Sequence, residues 1–157
     1  MAKLKAKQET FNPDRGPVLS VRFGIALLLM VAGLAWIAFY YLGVRAPDGF
    51  DDQGLPLGAT GPTFMRDLEG YNYLIGFGLF FLGLVVAAHP STPLGRGRGV
   101  VVGMLACFLI GLLWISTFYV FSDDPSAIPV MNDLVQYNLL VGIAFMAVGF
   151  TFATRWE

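Results

Sequence analysis

Four stretches of the chain run almost without polar interruption, at about residues 23–44, 71–88, 99–121 and 134–154. Each is near the ~20 residues that a helix needs to cross a hydrocarbon layer of ~30 Å. Inside lipid, backbone N–H and C=O groups must be satisfied within their own segment, so each stretch is predicted to be helical. No Asp, Glu, Lys or Arg lies in the central part of any of them. The pattern predicts an all-α membrane protein with four transmembrane helices. It divides into a basic tail (1–22), a two-span hairpin (23–88), a linker (89–98) and a second two-span hairpin (99–157).

The second hairpin repeats the first. At a constant offset of 66, Met65, Asp67, Leu68, Tyr71, Asn72, Leu74, Gly76 and Gly83 fall on Met131, Asp133, Leu134, Tyr137, Asn138, Leu140, Gly142 and Gly149. The odd spans align at an offset of 78, which sets Gly33, Leu34, Trp36, Ile37 and Tyr41 on Gly111, Leu112, Trp114, Ile115 and Tyr119. The first loop therefore carries twelve more residues than the third, around 48–59. Their Gly, Asp and Pro content predicts a loop and no further element. Two spans return the chain to its starting side, so the copies are parallel repeats. Inverted halves around a midplane site are a common transporter layout, and parallel hairpins weigh mildly against transport.

Composition sharpens the membrane reading. Hydrophobic residues make up 56% of the chain and charged residues 13%, about half the ~25% of an ordinary globular domain. Lys3, Lys5, Lys7, Arg15, Arg22, Arg96, Arg98 and Arg155 lie on one side of the predicted spans, and only Arg45 and Arg66 on the other. The positive-inside rule then predicts that both termini are cytoplasmic. Asp48, Asp51, Asp52, Asp67, Glu69, Asp123, Asp124 and Asp133 fall on the outer side. The tail can touch anionic lipid at ~1 kcal/mol per basic residue, or simply fix the topology. A net charge of -1 gives no sign of nucleic-acid binding. The single cysteine, Cys107, excludes an intrachain disulfide and is read as a packing residue. The first span lacks a small-x-small cleavage site and is expected to be retained.

The candidate functional residues sit mostly at the outer ends of the spans. Asp67 and Asp133 precede the even spans, where a carboxylate can cap free N–H groups and meets the positive end of the helix dipole. Asp133 with Gln136 resembles a capping box. Tyr71 and Tyr137 suit the headgroup level. Asn72 and Asn138 are costly in hydrocarbon unless bonded, so each is either an internal staple or a partner contact. Gly76 with Gly83, and Gly142 with Gly149, each mark one helix face that admits close packing, against a neighbouring helix of this chain or of another protein. Trp36, Trp114 and the Arg155–Trp156 ending are expected to be interfacial anchors, and His89 a boundary residue. The spans lack the charged residues that ion or proton pathways need. No metal-ligand cluster, phosphate cradle or nucleophile–base pair is evident. No enzyme activity, cofactor, metal or small-molecule substrate is expected. Membrane lipids and other integral membrane proteins are the expected partners.

At these motifs the chain resembles the actinobacterial cell-division protein CrgA family, whose members are short and usually have two spans behind a basic tail. The first-span motif is Gly33-Leu34-Ala35-Trp36 and again Gly111-Leu112-Leu113-Trp114. The second-span motif is Met65, Asp67 and Leu68 followed by Tyr71-Asn72-Tyr73. It returns as Met131, Asp133, Leu134 and Tyr137-Asn138, with Leu139 departing from the last tyrosine. The family's basic-Trp ending reappears as Arg155-Trp156. The resemblance covers nearly all of residues 22–156, once per half. It implies a non-enzymatic scaffold of the division machinery in the plasma membrane, enriched at the septum. FtsZ, FtsQ and septal penicillin-binding proteins would be its partners. The duplication departs from the family: it either hard-wires a pseudo-dimer, raising the effective concentration of one half for the other, or marks a paralogue moved elsewhere. The competing expectation is an accessory structural subunit of another membrane complex, such as a respiratory supercomplex.

Overall fold

The computed structural model describes residues 20–46, 49–121, 123 and 128–155. Lys3, Lys5, Lys7, Arg15, Asp48, Asp124 and Trp156 lie outside the described residues. Within them all regular structure is helical, beside an isolated bridge between Phe50 and Pro56. The elements are α1 (Val21–Gly43), α2 (Thr63–Leu68), α3 (Tyr71–Ala87), α4 (Arg98–Val120), α5 (Met131–Leu134) and α6 (Tyr137–Ala153). Helices α1 and α4, with 23 residues each, are long and apolar enough to cross a membrane. Helices α3 and α6 are apolar but have 17 residues each, about 26 Å at 1.5 Å per residue. The fourth apolar stretch begins at 134, yet its helix begins only at Tyr137, because the backbone breaks at Val135.

Helix α1 starts at Ser20, whose Oγ accepts the Phe23 amide at 3.2 Å and so satisfies one of the free N–H groups of the first turn. It then runs antiparallel to α3 at very short range. A Cβ on Gly33 would lie 2.4 Å from the Gly76 carbonyl oxygen, and a Cβ on Gly76 would lie 2.3 Å from Cγ1 of Ile37. The second hairpin repeats this contact. A Cβ on Gly111 would be 2.7 Å from the Gly142 oxygen, and one on Gly142 would be 2.3 Å from Cγ1 of Ile115. Between lipid-facing helices there is little hydrophobic gain in association. Close van der Waals packing along small residues supplies it instead, and backbone can meet backbone here only because both positions lack a side chain.

From residue 49 onwards the longer first loop forms a tight reversal. The Asp51 carboxylate accepts the Gln53 and Leu55 amides at 2.9 and 2.8 Å. Thr60 then ties the loop to the end of α1 through the Val44 and Gly43 carbonyls. At the opposite end of the bundle the linker is also ordered. Buried Thr92 donates to the Ala87 carbonyl and accepts the Gly95 amide at 3.0 Å. Arg22 of α1 reaches His89 and Ser91.

The two hairpins pack on each other. Phe77 of α3 meets Trp114 of α4 edge-on at 5.8 Å, and Phe81 meets Phe145 of α6 at 4.9 Å. One apolar cluster joins Ile37, Tyr40 and Tyr73 with Leu134, Val141 and Phe145. A second joins Ala26 and Ala87 with Val100, Cys107, Val148 and Phe152 towards the other end.

Replacing Gly76 or Gly142 by Val is expected to destabilise the protein by about 2–3 kcal/mol through overpacking. Gly78→Ala, where nothing lies within 4 Å, should be neutral or slightly stabilising. Unfolding in mixed detergent micelles reads the difference, and equal effects at Gly76 and Gly78 would dismiss the seam.

Candidate functional site: the lip of the even helices and the contact between hairpins

The approach to each even span is the same folded motif. A short helical segment, α2 or α5, is followed by a residue with positive φ and then by the long helix. That residue is Glu69 (φ 43°) in the first copy and Val135 (φ 45°) in the second. Neither is glycine, and a β-branched residue is a poor fit for this region, so each costs of the order of 1–3 kcal/mol. The asparagine of the repeat offsets that cost. Asn72 donates through Nδ2 to the carbonyls of Met65 at 2.7 Å and Glu69 at 2.8 Å. Asn138 donates to those of Met131 and Val135, both at 2.8 Å. Both asparagines are fully buried. They clamp the break from within, while Tyr71 and Tyr137 stand exposed beside it.

The aspartates do not cap helices. The cap positions are Pro62 for α2, Gly70 for α3, Val130 for α5 and Gln136 for α6, and none makes a side-chain cap bond. Asp67 is exposed within α2. Asp133 faces the other hairpin. Its Oδ1 pairs with Arg45 Nη1 and its Oδ2 accepts the Tyr73 hydroxyl. The capping box with Gln136 is absent because both oxygens of Asp133 are engaged across the hairpin contact. The Arg45 guanidinium also lies over the Tyr41 ring, 4.5 Å from its centroid, and Tyr73 packs edge-on against Tyr40 at 5.2 Å. Arg45 and Asp133 retain only 15% and 20% of their side-chain exposure. Part of their hydration is gone, and charge-assisted bonds strengthen as local polarity falls.

The tryptophans are not wet anchors. Trp36 is tilted against Phe64 at 6.3 Å and Trp114 lies against Phe77. Both indole nitrogens are buried without an acceptor among the described residues. Gly83 and Gly149 continue the two seams, the first tightly against the Ala26 carbonyl and the second at ordinary contact with Cys107 and Phe108. Sequence reasoning missed Arg45 and Tyr73. Their signal was present as departures from the repeat, since Arg45 aligns with Asp123 and Tyr73 with Leu139. A cavity of ≈ 10 Å³ lined by Phe118, Phe121, Ile128 and Met131 holds at most a water. Among the described residues no three metal-ligating side chains gather.

A family model described as cell division protein CrgA matches residues 2–89 and, separately, residues 92–157. The cell division protein CrgA of Streptomyces avermitilis is 42% identical over 67 residues, covering 43% of this chain and 75% of that protein. No solved structure is matched.

Asp133→Ala removes the shared acceptor of Arg45 and Tyr73 and is expected to cost about 1–3 kcal/mol. Asp67→Ala, its repeat counterpart, should stay within about 0.5 kcal/mol. Chemical unfolding of the two variants separates the roles, and a loss at Asp67 matching that at Asp133 would contradict the asymmetric geometry.

Proposed function

The chain belongs to the cell division protein CrgA family, and on that premise we propose that it is a non-enzymatic scaffold of the division machinery. It is a membrane protein by its apolar helices and its family. The proposed topology has four spans, counting α3 and α6, with the N- and C-termini cytoplasmic and the lips at α2 and α5 outside. Eight of the ten basic residues then face the cytoplasm, as the positive-inside rule prefers. The 17-residue helices fit such a layer when short flanking segments and a locally thinner bilayer complete the crossing.

The observation that carries the reading is the tandem family match, one unit per hairpin. Two units joined in one chain meet at an effective concentration set by a ten-residue linker rather than by expression level. The Arg45–Asp133–Tyr73 contact holds them in one relative orientation. A fixed pair of membrane hairpins suits the task of bringing partners together. The proposed partners are FtsZ, FtsQ and septal penicillin-binding proteins, with the helix faces and the exposed Tyr71 and Tyr137 as contact surfaces.

A fluorescent fusion is expected to concentrate at the septum of dividing cells, and an even distribution around the membrane would count heavily against the proposal. Affinity purification from native membranes should recover septal peptidoglycan-synthesis proteins, whereas recovery of oxidase subunits instead would move the chain to a respiratory assembly. Replacing Asn72 and Asn138 together by Ala releases the clamped turns that present the two tyrosines. That variant should still insert but should recover several-fold less of the septal proteins. Unchanged recovery would remove the lips from the binding surface.

A further inference from the structure

The two hairpins touch through different faces. On the first hairpin the contact uses Tyr73, Phe77, Phe80 and Phe81 of α3, with Arg45 at the lip. Of the repeat counterparts on the second hairpin, Leu139 (38% exposed), Ile143 (48%) and Ala147 are turned away from it, Met146, the counterpart of Phe80, is half-buried at the Gly111 seam, and Asp123 stands where Arg45 would be. On the second hairpin the contact uses Phe145 of α6 and Trp114, with Asp133 at the lip. Val141, Val148 and Phe152 complete that buried face of α6. Their counterparts on α3 are half-buried Ile75 and Leu79, exposed Leu82, and Val86, which already packs against the apolar cluster around Ala26 and Ala87; exposed Asp67 lies beside them at the lip. Val148 is 6% exposed, but its counterpart Leu82 is 53% exposed. An isologous pairing would bring Trp36 to Ile143, yet Trp36 lies against Phe64.

The pairing is therefore heterologous, head to tail, and a heterologous contact leaves one unused face of each kind. The chain itself shows what covers a face of this kind. It is an α-helical hairpin that offers aromatic side chains in the apolar layer, and an arginine with a tyrosine hydroxyl to the lip aspartate.

We propose that the face of the first hairpin formed by Ile75, Leu79 and Leu82, with Asp67 at its lip, is a docking surface for such a hairpin from another membrane protein. The partner carries a basic residue beside a tyrosine at the outer end of its spans. A second copy of this chain is excluded. Its one unused face of the matching kind offers Asp123 and Leu139, so Asp123 would meet Asp67. Like charges brought together in a partly desolvated contact repel, and no hydroxyl donor replaces Tyr73. The same two departures from the repeat that build the internal contact once thus prevent it from propagating from chain to chain. The proposal extends the scaffold reading by naming the chemistry of one partner, and its test measures docking without reference to the septum, so either can fail alone.

The probe is the full chain with its unused face converted, Asp123→Arg with Leu139→Tyr, purified in detergent and weighed by sedimentation. This variant is expected to form dimers and longer head-to-tail species at concentrations where the unaltered chain stays monomeric. Adding Asp67→Lys should return it to monomer. The single change Asp67→Arg, which sets an arginine against the native Asp123, should also associate and serves if the double variant does not insert. Failure of both D123R/L139Y and D67R to associate while retaining full helicity would overturn the proposal. Association that survives Asp67→Lys, or equal association of the unaltered chain, would overturn it as well.

Discussion

The structure depends on two helices meeting backbone to backbone. In lipid an apolar side chain gains little by leaving the tails for another helix, so the hairpin must be held by contact density. Gly33 and Gly76 in one hairpin, and Gly111 and Gly142 in the other, let the helix axes approach until a carbonyl oxygen of each helix fills the space where the other's Cβ would stand. Ile37 and Ile115 then close over the same glycines. That contact fixes the rotation of α1 against α3 and of α4 against α6. The rotation decides which side chains face outwards and remain available for the second level of packing.

The turns that lead into α3 and α6 follow from the same constraint. A hairpin this close requires its returning helix to start at a defined height, and the chain reaches that height through a break at Glu69 or Val135. The backbone there adopts positive φ without glycine. One buried side-chain amide, Asn72 or Asn138, takes the carbonyl of Met65 or Met131 and shares the carbonyl at the break, Glu69 or Val135, with its own backbone N–H. The asparagine is a structural clamp whose visible product is the placement of its neighbour, Tyr71 or Tyr137, at the surface.

Duplication supplied two equivalent hairpins, and a small number of departures made them a directed pair. Arg45 and Tyr73 have no equivalents in the second copy, and Asp133 has a different environment from Asp67. A contact made by unlike faces needs unlike residues at its lip, whereas a symmetric pair would have kept both copies the same there. The departure of Leu139 from the family motif is thus part of how the two halves differ in role.

Much of this was legible in the residues. The apolar stretches, the offset repeat, the extra loop and the seam glycines are properties of local composition and spacing, which lipid and helix geometry convert directly into elements. The buried asparagines were legible as polar groups in need of partners, though not which partners. The capping role assigned to Asp67 and Asp133 failed because a carboxylate just before a helix has two uses, and spacing alone does not distinguish them. Likewise, a tryptophan near a span end reads as an anchor until its neighbours are known; here Phe64 and Phe77 cover the indoles. The sequence by itself determined the membrane class, the doubled hairpin and its family. Only the tertiary structure decided that the copies meet through different faces and that Asp133 belongs to Arg45 and Tyr73. Those contacts join residues 88 and 60 positions apart, and they follow from how each hairpin is turned about its own axis, which no periodicity within one helix specifies.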